Sequence, residues 1–209
     1  MTNTSAPTTN GPAEHAVSRI KEEHRSLARV IAAMRILASQ FRDRGPEWDL
    51  PLFDSMLRYI EHVPDRLHHP REDQTLFPAL LAVHPGAMAL VEALEREHGR
   101  SAGLLANLRR ALSAYHAGGV NAINRLSGAV EEFAEFYWAH MRIEEEKLIP
   151  LALEHVGAEA WARIDRAFSD HRDPLFGGAL AEEYADVYRF IAANAPRSAA
   201  TVFGSEAAR

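Results

Sequence analysis

The chain contains no cysteine. That absence excludes disulfides, thiolate nucleophiles and cysteine-held zinc or iron–sulfur clusters, so any metal must be held by imidazole and carboxylate. No apolar run approaches the roughly 20 residues of a membrane span. Met1 to Pro12 is rich in Thr, Asn, Ser and Pro and lacks the apolar core of a signal peptide, so a soluble, cytoplasmic protein without a membrane partner is expected. Basic clusters are missing as well. The 23 Lys and Arg are spread along the chain and the net charge is -6, which argues against nucleic acid as a partner. Strand-like alternation is also lacking, and the expected class is therefore all-α.

What is present is helical periodicity. With 209 residues, 47% of them hydrophobic, one domain of moderate size is expected. Leu27, Ile31, Met34, Ala38 and Phe41 make one stripe, with His24 in line, on a helix from Glu14 to about Arg44 that Gly45-Pro46 ends. A second helix begins near Asp49, carries Phe53, Met56, Leu57 and Ile60, and is expected to bend or break at Pro64 and Pro70 before reaching about Val83. A third runs from about Ala87 to His116 with Val91, Leu94, His98, Leu105, Leu108 and Leu112 on one face. The fourth, from about Val120 to Pro150, aligns Leu126, Val130, Phe133, Tyr137, His140, Glu144, Leu148 and Leu151. Shorter helical segments follow near Glu159 to Asp170 and Ala179 to Ala193. The expected organisation is a tail over 1–13, a bundle domain over 14–177, a capping helix over 178–195 and a second tail over 196–209.

The informative feature is a repeat. His68 to Pro78 and His140 to Pro150 both read His-x-x-x-Glu-x-x-x-Leu-(Phe/Ile)-Pro, which places His, Glu and Leu on one helical face. Each is preceded by a lone His, His24 after Lys21-Glu22-Glu23 and His98 after Glu95-Arg96-Glu97, at distances of 44 and 42 residues. Two similar hairpins in series make an antiparallel up-down four-helix bundle with near two-fold internal symmetry.

One His-x-x-x-Glu is weak: 11 His and 20 Glu in 209 residues supply about one by chance. His155 and Glu159 have the spacing but span Gly157 and lack a counterpart, and they read as surface residues. A lone His on an apolar face is ordinarily a hydrogen-bonded core residue. The four-part arrangement is different, because burying Glu72 and Glu144 together costs several kcal/mol each unless a cation compensates. Two divalent ions bridged or capped by these Glu, with His24, His68, His98 and His140 as terminal ligands, resolve that cost. Nitrogen and oxygen donors without thiolate suit iron first, then manganese, with zinc behind. His69 competes with His68 for the ligand position, the alignment with His140 favouring His68. His171 is a candidate degenerate third copy, Tyr59 and Tyr137 are core groups or donors near the site, and His15, His62, His84 and His116 read as surface.

The set of lone His, His-x-x-x-Glu-x-x-x-Leu-Phe-Pro, lone His and His-x-x-x-Glu resembles the hemerythrin-like family, the HHE cation-binding domain. His68-His69-Pro70-Arg71-Glu72-Asp73 and Asp173-Pro174-Leu175-Phe176-Gly177 resemble a bacterial branch of it. The resemblance implies a four-helix bundle with a non-haem di-iron site. In it His24, His98 and His140 would be terminal ligands, Glu72 and Glu144 would bridge the irons, and His68 would complete the set. Animal oxygen carriers of the family place an extra His one turn from the lone His of the third helix, where this chain has Leu94 and Ala102.

The reading that follows is an iron protein that binds dioxygen, peroxide, nitric oxide or a related reactive species in sensing, storage or stress protection. A di-iron enzyme consuming peroxide or acting as an oxidase is the first alternative. The second is a helical interaction module whose His and Glu are structural, with the C-terminal segments capping the bundle or pairing two subunits as a homodimer.

Overall fold

The computed structural model describes residues 11–44, 50–119, 121–169, 173–175 and 181–194. The expected stop at Gly45-Pro46, most of the two tails, and His171, Phe176 and Leu180 lie outside the described residues.

Four long helical rods form the body. Helix α1 spans Pro12–Arg44. Helix α2, residues 50–83, opens as Leu50–Ile60 and ends as Phe77–Val83. Helix α3 is Met88–His116. Helix α4, residues 122–155, opens as Ala122–Ile143 and ends as Ile149–His155. Helix α5, Ala158–Ser169, lies along α1, and α6, Ala185–Asn194, packs on α1 and α2. Among the described residues there is no strand, and the architecture is an all-α bundle with additional C-terminal helices. No described helix is long and apolar enough to cross a membrane.

The links are short for physical reasons. His84 breaks α2 with φ -136° and ψ 75°, and Pro85–Ala87 forms one tight turn before α3. Gly118, at φ 70°, ends α3 in the left-handed region that costs glycine least, and its N–H donates to the Tyr115 carbonyl at 3.0 Å.

Pro64 and Pro70 do not interrupt α2. Proline removes an N–H and clashes with the carbonyl four residues back, and the chain accommodates this by widening to π-helical turns over Glu61–His68 and Glu72–Leu76. The same happens in α4 over Glu144–Leu148, just before Pro150. In each rod the residue ahead of the last proline bonds five residues back: the Phe77 N–H to the Glu72 carbonyl and the Ile149 N–H to the Glu144 carbonyl. The shared Leu-(Phe/Ile)-Pro wording is thus the local cause of a widened turn at each buried glutamate.

The core has two apolar parts. One is built on Leu27, Met34, Phe41, Phe53, Tyr59, Phe133 and Tyr137, the other on Ile20, Phe77, Leu94, Leu148, Trp161 and Phe168. His24 lies between Ile20 and Leu27 on α1, and His140 and Glu144 lie between Tyr137 and Leu148 on α4, so the polar residues form a layer at the junction.

Candidate metal centre

Every long rod sends imidazole or carboxylate into that layer. The side chains of Glu72 and Glu144 are fully buried, and those of His24, His68, His98 and His140 are 2–5% exposed. The His24 Nε2 lies 3.2 Å from Glu144 Oε2 and 3.1 Å from His68 Nε2, and the His68 Nε2 is 3.5 Å from Glu72 Oε2. In the other half the His98 Nε2 is 3.7 Å from Glu72 Oε2 and 3.6 Å from Glu144 Oε1, while the His140 Nε2 is 3.1 Å from Glu144 Oε1. Donors that surround one ion at 2.0–2.2 Å stand about 3.0–3.5 Å apart, so these separations fit cations placed between them.

His24, His68, Glu72 and Glu144 make one group able to hold an ion, and His69, His98 and His140 make a second. The six residues singled out in the sequence therefore lie together. His69 joins them where a choice between His68 and His69 was expected. On an ideal α-helix adjacent side chains diverge by about 100°, and the widened turn ending at His68 lets both face inward. His69 stacks on His98 with ring centroids 4.1 Å apart. The sequence signal for it was the His-His pair preceded by Pro64.

The outward nitrogens are fixed by carboxylates. His24 Nδ1 donates to Glu145 at 2.9 Å, His68 Nδ1 to Glu23 at 2.6 Å, His98 Nδ1 to Asp73 at 2.8 Å and His140 Nδ1 to Glu97 at 2.9 Å. An ionised carboxylate only accepts, so each of these rings carries a proton on Nδ1 and presents Nε2 inward, the nitrogen a cation can take once it is bare.

Most of the inward atoms lack a hydrogen bond. Both oxygens of Glu72, both of Glu144, and the Nε2 atoms of His98 and His140 are buried without a hydrogen bond. Six such atoms converging on one spot would be costly unless something not made of protein satisfies them. The electrostatics express the same strain. Burial and the Glu144 charge push the Glu72 carboxyl well above its ordinary range. Burial acts the same way on Glu144, but His140, His24 and His98 outweigh it and hold Glu144 well below. Burial opposes charge on His24, yet Glu144 and Glu145 raise it to about 9. Burial and the neighbouring imidazoles depress His69.

The remaining candidates fall away from the centre or around its edge. His15, His62 and His116 are exposed. His84 is half-buried and stacks on His155 at 4.2 Å, and Glu159 pairs with Arg163 on the surface. Tyr59 donates to Asp173 at 2.8 Å, which anchors the segment after α5. Tyr137 donates to Asp65 at 2.9 Å, and Ser101 donates to the same oxygen. Asp65 faces His69 at 3.7 Å, and nothing in the sequence had marked it.

Fold and site together define a helical-bundle protein with a buried His/carboxylate centre suited to cations. The family model for the hemerythrin HHE cation binding domain matches residues 15–152, well over half of the chain, and the chain belongs to that family. No curated protein and no solved structure gives a significant match.

Proposed function

We propose that the protein holds two non-haem iron ions and uses them to bind a small oxidant or gas, namely dioxygen, peroxide or nitric oxide. Glu72 and Glu144 would hold the ions between the two sets of imidazoles. His24 and His68 complete one half, and His69, His98 and His140 complete the other. The observation that carries this reading is the set of six buried, unpartnered oxygen and nitrogen atoms between inward-facing imidazoles. A bundle in which these His and Glu served packing alone would leave those atoms unsatisfied.

The donor set, nitrogen and carboxylate without thiolate, favours iron over zinc. Two carboxylates and five imidazoles would hold the ions. The chain's own residues orient the imidazoles, exclude bulk water and supply negative charge. The bound metal would supply the redox chemistry. Metal analysis of protein made under iron-replete conditions tests the reading. About two irons per chain are expected, and less than about one would overturn it.

A further inference from the structure

A centre this buried needs a way in, and its two halves differ in what covers them. Over the His24/His68 half, α5 lays Phe168, which is fully buried, with its ring 5.9 Å from that of His68. The Arg71 guanidinium sits over the Phe168 ring, 5.8 Å from its centroid, so this half is closed by packed side chains.

The His69/His98 half instead borders a cleft of about 350 Å³ between α2 and α3, lined by Asp65, His69, Pro70, Asp73, Glu95, His98, Gly99 and Ala102. Three of these are carboxylates and none is Lys or Arg. Their exposure falls inward. Glu95 is exposed and has no ion-pair partner among the described residues, the Asp73 side chain is 37% exposed and that of Asp65 15%. Behind them His98 and His69 are 5–6% exposed, and Glu72 is fully buried. The His98 Nε2, at the inner end, is one of the unpartnered buried atoms. Gly99 and Ala102 keep the α3 wall low, and a Cβ added at Gly99 meets nothing within 4 Å.

We infer that this cleft is the loading route for the metal. Resting on the metal-binding reading above, it would draw a divalent cation in at Glu95 and pass it over Asp73 and Asp65 to His98 and His69. Hard cations exchange water for carboxylate oxygen one ligand at a time, and oxygen donors of falling exposure match that sequence. A cleft of one charge sign with low-dielectric walls also raises local cation concentration and speeds association.

The test is stopped-flow uptake of cobalt(II) by the metal-free full chain, followed by its visible absorbance. Glu95→Lys is compared with Glu132→Lys, which makes the same charge change at an exposed position on α4. Glu95→Lys is expected to slow uptake roughly tenfold at low ionic strength, with unchanged final stoichiometry and a difference that shrinks in salt. Glu132→Lys should stay near the parent rate. Ala102→Trp, which narrows the cleft without changing charge, should slow uptake at every ionic strength. Equal rates for Glu95→Lys and Glu132→Lys, with normal final uptake, would overturn the route while leaving the metal centre intact. Absence of cobalt and iron binding at equilibrium would overturn the centre itself.

Discussion

Glu23 hydrogen-bonds not to its neighbour His24 but across the bundle to His68, whose Nδ1 it accepts at 2.6 Å. The contact has an internal copy: Glu97, which precedes His98, accepts from His140 at 2.9 Å. The exchange also runs in reverse. Asp73, which follows Glu72, accepts from His98, and Glu145, which follows Glu144, accepts from His24. His24, Glu72, His98 and Glu144 thus each have a chain neighbour that orients the imidazole of a different helix, so the rods are cross-linked through these side chains.

Because those carboxylates fix tautomer and ring direction, removing one should loosen the metal without unfolding the bundle. Glu97→Ala is expected to weaken metal binding by roughly 10–100-fold, measured by competition against a chelator, with unchanged helical content. A change of less than about twofold would mean that His140 is oriented by packing alone.

Glu72→Gln should have opposite effects in the two metal states. Without metal, burial and Glu144 make the Glu72 carboxyl hard to ionise, so the neutral amide relieves a cost near pH 7. The metal-free variant should be more stable by about 1–3 kcal/mol, while the metal-loaded variant loses the stabilisation that ligand binding to the folded state confers. Thermal unfolding with and without chelator reads both. A loss of stability in both states would show that Glu72 is needed for packing and not for a cation.

The raised His24 value links metal binding to protons. In the metal-free protein His24 is charged up to about pH 9, against 6.5 unperturbed. Its contribution to stability is therefore complete below about 6.5 and is lost as pH rises toward 9. A cation needs the same Nε2 bare, so metal affinity should climb across that window while metal-free stability declines. Metal added at pH 7 in weak buffer should release protons, visible with an indicator dye. No release would place His24 neutral before binding.

Tyr137→Phe removes a donor from Asp65, leaving that half-buried carboxylate to Ser101. A cost of about 1–3 kcal/mol is expected in chemical denaturation, with metal stoichiometry retained. Lost stoichiometry would mean that the Tyr137–Asp65 pair holds His69 in place.

Much of this was legible in the chain. The lone His, the His-x-x-x-Glu pairs and the apolar stripes placed six residues on facing helices, because α-helical periodicity carries that information directly. His69 was weighed only as a substitute for His68, since a 3.6-residue period turns it away from the face. The widened turn that brings it back depends on how Pro64 and its surroundings settle. Glu23, Glu97 and Asp65 act on residues of other helices, and no local pattern reports a partner 45, 43 or 72 positions distant. The packing of α5 along α1, with Phe168 against His68, is likewise a tertiary fact.

His69 has no copy in the second hairpin, where Met141 follows His140. Two otherwise matched half-sites are therefore unequal, with three imidazoles on one side and two on the other. Ions taken up in succession would fill the richer half first, giving a half-loaded species distinct from the full one.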